Sequence, residues 1–240
     1  MEPEIPGGMD EVVSGVLAIY QRNPLLRMIV RLNPITSVAE AGILGTVDMY
    51  LNRRMFVFAQ ELISLNIDPP EDRIRKREFI DAFSATQRKV RETTNDNKIK
   101  TFAALFASYY EGSIFSSVDH YEEFLRILDE ISEREFRVLL ILDRHERLNP
   151  LQVSENQLGR ANRIWQAFTD EVESSVGIPV KHLAAVMKRL ERTGLYEPII
   201  GSYLNYGGGR GYLTPLFESF LQATKISPRE DKDHPGQGTT

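Results

Sequence analysis

The chain has 240 residues, 42% hydrophobic and 26% charged, which is enough apolar material to bury a core in one domain or in two unequal ones. A formal net charge of −5 argues against a protein that coats nucleic acid non-specifically, because that mode neutralises many phosphates at once; a local basic face stays open. With no cysteine there are no disulfides, no thiolate metal site and no thiol nucleophile, and the expectation is a reducing, cytoplasmic location.

The first residues, MEPEIPGGMDEVV, are acidic where a secretory leader would be basic, so no export is expected. Val12, Val13, Val16, Leu17 and Tyr20 recur at helical spacing up to Pro24, and Leu25, Leu26, Ile29 and Val30 form a second short stripe that ends at Asn33 and Pro34. Residues 1–34 therefore read as an amphipathic arm. Ser37 with Glu40 has the spacing of a capping box, and a long helix from Val38 through Leu65 is expected to stop at Asp68, Pro69 and Pro70. Its most apolar window carries Glu40 and Asp48 and is too short to span a bilayer.

A single charged helix is predicted over Glu71–Thr93, its narrow stripe of Ile74, Phe79, Ile80, Phe83 and Val90 implying solvent exposure. Asn95, Asp96 and Asn97 are expected to form a turn before a helix carrying Ile99, Phe102, Ala103, Phe106 and Tyr110, and another holds Val118, Tyr121, Leu125 and Leu128 and closes at Ile131. Ser132 and Glu135 repeat the capping-box spacing. The helix they open is apolar round most of its circumference between Phe136 and Leu142 and is expected deep in a core.

Ser154 with Gln157 predicts a helix from about Glu155 to Val172, anchored by Leu158, Ile164, Trp165 and Phe168. Gly177 breaks the pattern and Pro179 suits the first turn of the next helix, KHLAAVMKRLERTG. On a helical wheel that helix sets Val180, Leu183, Ala184, Met187 and Leu190 on one side and Lys181, Lys188 and Arg192 on another, with His182 and Arg189 beside them. The stretch LYEPIIGSYLNYGGGRGYLTP reads as two short strands joined by a glycine-rich turn, and Pro215 opens a terminal helix with Leu216, Phe217, Phe220 and Leu221. The expected fold is mainly α: a helical region over 35–131, a winged-helix-like domain with one β-hairpin over 132–226, and a disordered polar tail over 227–240.

Few residues carry chemistry. The glycines at 207, 208, 209 and 211 lack the Lys-Ser/Thr ending of a phosphate-binding loop and are read as a hairpin turn. His120, His145, His182 and His234 have no metal-ligand spacing and HExxH and GxSxG are absent, so no metal, cofactor or catalytic residue is expected. Asp143–Arg144–His145–Glu146 holds acid and base candidates, yet it lies at a helix C-terminus where His and Arg complement the helix dipole. The basic helix also admits a nucleic-acid reading: in a winged-helix module such a helix can enter the major groove while the wing touches the backbone, which would make Lys181, His182, Lys188, Arg189, Arg192 and the hairpin-tip Arg210 the candidate readers. The favoured reading is an ordinary solvated face, balanced by Glu191 and Glu197, because charge runs usually mean exposure.

The run NDNKIKTFAALFASYYE, then FLRILDEISEREFRVLLIL, LERTGLYEP and GYLTPLFESFLQA resembles the layout of poorly characterised bacterial proteins that include the abortive-infection alpha family, in which a helical region precedes a winged-helix-like ending. The resemblance covers Asp96 to Ala223 and implies a role in phage defence through interactions. Two positions depart from that family's LxxLGL and LTPxGxxF signatures: Thr193 replaces a leucine and Phe217 a glycine. The sequence thus points first to a non-enzymatic interaction or regulatory protein that uses its helical region for self-association as a homo-oligomer or for a protein partner. The other readings are a winged-helix DNA-binding regulator and an enzyme of unrecognised type.

Overall fold

In the computed structural model, which describes residues 43–67, 69–112, 114–200 and 209–226, the chain divides into two units, Met1–Leu125 and Arg126–Thr240. The described residues are mainly helical, with one two-stranded antiparallel hairpin. The N-terminal arm, the Ser37–Glu40 cap, Gly207, Gly208 and the polar tail lie outside the described residues.

The first unit begins with α1 (Ile43–Ser64), which buries Met55, Phe58, Ala59 and Leu62 at helical spacing. It closes before the expected prolines. Asn66 takes a left-handed φ of 56°, the Asn66 amide donates to Ile63 O and the Ile67 amide to Leu62 O; the left-handed residue thus satisfies two terminal carbonyls.

The expected single helix over 71–93 is two, α2 (Glu71–Ile74) and α3 (Arg77–Glu92), separated at Lys76, whose ψ of 137° is extended. Ile74 is the lone apolar residue between Glu71 and Arg77, so no stripe holds the pieces in one register. Nor is α3 mainly exposed: Phe79, Ala82, Phe83, Ala85, Thr86, Gln87 and Val90 are buried, and of the expected stripe on α3 only Ile80 faces solvent.

Asn95 caps α4 (Asp96–Glu111) by accepting the Lys98 amide at 3.1 Å, and Gly112 ends it with φ 72°. Every residue from Phe102 to Ser108 is buried, so α4 is enclosed on all sides. The ring of Phe106 lies 5.4 to 6.5 Å from those of Phe58, Phe79, Phe83, Tyr109 and Tyr121. Small Ala103, Ala104 and Ala107 let the neighbouring helices approach closely enough for those contacts. Tyr121 comes from α5 (Val118–Glu130); its buried hydroxyl pairs with Thr86 and is held well above its ordinary pKa by burial, so it stays protonated.

The second unit is organised by α6 (Glu133–Leu148), which the Ser132–Glu135 capping box opens as expected. Its burial is one-sided: Val138, Leu139 and Leu142 are buried, whereas Phe136, Leu140 and Ile141 are only half-buried. Among the described residues the deeply enclosed helix is α4. Asn156, not Ser154, caps α7 (Gln157–Glu171) by accepting the Gly159 amide at 2.9 Å; Ser154 stands two residues earlier with a left-handed φ of 69°. A π-helical turn, Val172–Val176, ends at Gly177 with φ 67°. Pro179 precedes rather than begins α8 (Val180–Arg192).

Strands β1 (Tyr196–Pro198) and β2 (Gly211–Leu213) pair with Glu197 opposite Tyr212, and α9 (Pro215–Thr224) follows. Glycine at 211 is a packing requirement, since a Cβ there would overlap Glu197 O and the Tyr196 ring. Beyond β2 the Leu213 amide donates to Glu146 Oε1 at 3.2 Å, so a carboxylate takes a position where another strand would bond.

Two stability outcomes follow from this packing. Phe106→Ala should cost about 3–5 kcal/mol, the usual range for emptying a buried aromatic site. Gly211→Ala should disrupt the β1–β2 pairing, read as lost amide protection at Ile199, whose N–H donates to Arg210 O at 2.9 Å. Intact protection at Ile199 would show that the strands tolerate a Cβ.

Candidate nucleic-acid interface

Helix α8 forms because Leu183, Val186, Met187 and Leu190 recur every three to four residues, and all four are buried. This corrects the sequence assignment of its apolar side. Val186 belongs there, while Val180 and Ala184 are exposed. At 100° per residue, Lys181, Ala185, Lys188 and Arg192 fall within about 60° of one another, and Leu190 lies about opposite Lys181. All four are exposed, as are His182, Ala184 and Arg189. The helix carries four Lys or Arg side chains against one carboxylate, Glu191.

Two interactions fix how α8 presents this face. Glu135 Oε2 accepts the Ser132 amide at 3.0 Å and hydroxyl at 2.7 Å, while Oε1 accepts Arg189 Nε at 2.5 Å. The carboxylate that caps α6 therefore also grips the flank of α8. At the other end, Arg134 Nη2 donates to Gly177 O at 2.9 Å, just before α8 begins. Burial works to raise the Glu135 carboxyl, but the bonds from Ser132 and Arg189 outweigh it and hold the group below its ordinary value.

The six candidate readers divide accordingly. Lys181, Lys188 and Arg192 share the exposed line, with His182 at its edge. Lys188 is 75% exposed and pairs with Glu191 at 2.7 Å, a contact worth at most about 1 kcal/mol in solvent. Arg189 is committed to Glu135. Arg210 bonds to Asn162 on α7. Glu197 does not balance the basic helix: it bonds with the Tyr212 hydroxyl across the strands, and burial together with this contact raises the tyrosine pKa. Sequence reasoning missed the exposure of the Ala184–Ala185 step. The same 100° arithmetic that aligned the cations places Ala185 among them.

The acid–base cluster at the end of α6 is a structural knot rather than a dipole cap alone. Glu146 accepts Arg160 at 2.9 Å besides the Leu213 amide; burial raises its carboxyl, and those two partners oppose the rise. His145 Nε2 lies 2.9 Å from Glu171, which also pairs with Arg144, and burial together with Arg144 lowers the imidazole pKa, favouring the neutral ring with its proton on Nε2. Asp143 accepts Arg147 Nε at 2.8 Å; burial raises its carboxyl in spite of that partner. Glu146 and His145 tie α6 to α7 and β2, while the Asp143–Arg147 pair lies within α6. Among the described residues no group of three or more His, Asp or Glu side chains could hold a metal ion, and no helix is long and apolar enough to cross a membrane.

No family model, curated protein or solved structure matches the chain.

Because the Glu135 carboxyl is lowered on folding, its stabilising contribution is complete above the ordinary value of 4.5 and is lost as pH falls through the lower folded-state value. Glu135→Gln should therefore destabilise the protein by about 1 kcal/mol near neutral pH, the difference between a charged and a neutral hydrogen bond. The gap between wild type and variant should close on acidification below that range. Urea unfolding at a series of pH values would check it, and a gap independent of pH would remove the charge from the explanation.

Proposed function

We propose that this chain is a non-enzymatic regulatory protein whose second unit, a winged-helix-like module, binds nucleic acid through α8. The observation that carries this reading is the exposed line of Lys181, Lys188 and Arg192, on the side of the helix away from the buried Leu183, Val186, Met187 and Leu190. The order of parts supports it as well: three helices, α6, α7 and α8, precede a two-stranded hairpin and a closing helix. A phosphate can replace Glu191 at Lys188 at little cost, since the existing pair is solvent-exposed. The overall negative charge does not oppose a local site, because screening at physiological salt confines each charge to about 8 Å.

The test is charge reversal. Lys188→Glu with Arg192→Glu should abolish most binding to a mixed-sequence oligonucleotide and reduce the slope of log K against log salt by about two, one for each phosphate no longer neutralised. Both side chains are exposed, so stability should change by less than about 0.5 kcal/mol for each. Fluorescence anisotropy across a salt series reads the affinity and the slope, and urea unfolding the stability. A wild-type protein that binds no nucleic acid at low salt would overturn the proposal.

A protein-contact reading rests on a different observation. Leu148, the last residue of α6, and Leu151 and Val153 in the connection to α7 are 73%, 46% and 100% exposed. That connection is held in place, since Arg163 donates to Asn149 Oδ1 at 3.1 Å, to Pro150 O at 3.2 Å and to Glu155 Oε2 at 2.8 Å. Three aliphatic side chains on a fixed turn suit a weak self-association. Replacing all three with serine should lower the mass measured by sedimentation at high concentration; equal masses for variant and wild type would discard this reading.

A further inference from the structure

The exposed line of α8 is interrupted in a specific way. Lys181 and Lys188 are separated by seven residues, about 10 Å along the axis. Between them stand Ala184 and Ala185, both exposed and both ending in a single methyl group. Long flexible cations therefore flank a short notch in which the helix backbone itself can approach a surface. Helix stability does not demand these alanines, because Lys, Glu and Gln at solvent-facing positions are nearly as favourable. The roll of the helix that points the notch outward is set by the burial of Leu183, Val186, Met187 and Leu190 and is reinforced by the Arg189–Glu135 pair.

Building on the reading of α8 as a nucleic-acid interface, we propose that its ligand is double-stranded DNA in the B form, with the Ala184–Ala185 step lying against base edges in the major groove, thymine methyl groups among them, and Lys181, Lys188 and Arg192 on the flanking phosphates. The major groove of B-form DNA admits a helix, and an alanine methyl packs against the thymine methyl displayed there. The deep, narrow major groove of double-stranded RNA does not admit one. Single strands are gripped by stacking their bases on several aromatic rings along a groove, and α8 offers only the His182 imidazole, at the edge of the line.

The experiment measures binding of the full chain at low salt to one mixed-sequence duplex DNA, the duplex RNA of the same sequence and the corresponding single-stranded DNA. The expected result is at least tenfold tighter binding to duplex DNA. Ala185→Leu and Ala185→Gln, which fill the notch and keep every cation, should each weaken duplex DNA binding about tenfold or more while leaving the salt slope and the melting temperature unchanged. Replacing thymine by deoxyuridine throughout the duplex should weaken wild-type binding about fourfold, the effect of burying one methyl group, and needs no protein variant. Equal affinity for the three nucleic acids, unweakened Ala185 variants, or indifference to the thymine methyl would each overturn this inference while leaving the broader nucleic-acid reading in place. Absence of binding to all three would overturn both.

Discussion

The second unit turns on one carboxylate. Glu135 closes the capping box that starts α6 and, through its other oxygen, holds Arg189 on the side of α8. A capping box alone would fix only where a helix begins. Because Arg189 shares the same group, the orientation of α8 about its own axis is tied to the first turn of α6, and with it the direction in which Lys181, Lys188 and Arg192 point. Arg134 strengthens that link by bonding the carbonyl of Gly177 immediately before α8. The basic face of α8 is thus braced from behind, by residues outside the line of Lys181, Lys188 and Arg192.

Charged groups elsewhere in this unit serve the same end. Glu146 commits its two oxygens to Arg160 and to the Leu213 amide, so a half-buried ion pair covers the edge of β2. His145 and Arg144 converge on Glu171 at the end of α7. Such side chains look like acid–base machinery in sequence order, but their partners here are other parts of the same fold. The first unit is built on a different principle: α4 is enclosed, its aromatic centre at Phe106 surrounded by rings from α1, α3 and α5, and the buried Tyr121 hydroxyl there is answered by Thr86.

Local signals are legible where a helix end is governed by residues within one turn. Ser132 with Glu135 and Pro215 at the start of α9 both act where the sequence places them, whereas Asp96 and Asn97, expected in a turn, already lie in α4. Ser154 does not cap α7: its backbone is left-handed, Glu155 is engaged by Arg163 and the Gln152 amide, and Asn156 caps instead. Over 71–93 charge density misleads as a sign of exposure, because α3 presents its charges on one side and a complete buried face on the other. The candidate site is half legible: the alignment of Lys181, Lys188 and Arg192 follows from 3.6-residue periodicity, but the bonding of Arg189 and Arg210 to Glu135 and Asn162 depends on residues 54 and 48 positions away.

The sequence by itself determined the mainly helical composition, the helix starts set by local caps, the hairpin near the end and the basic line on α8, because each arises from residue types repeating within a few positions. Tertiary structure decided which apolar helix is enclosed, which face of α8 meets water and which of its cations are tied to other helices, because burial and ion pairing depend on partners distant in the chain. Val186 and Ala184 show the difference most directly. Both are apolar residues on one helix, and only packing against the rest of the second unit buries the first and leaves the second in solvent.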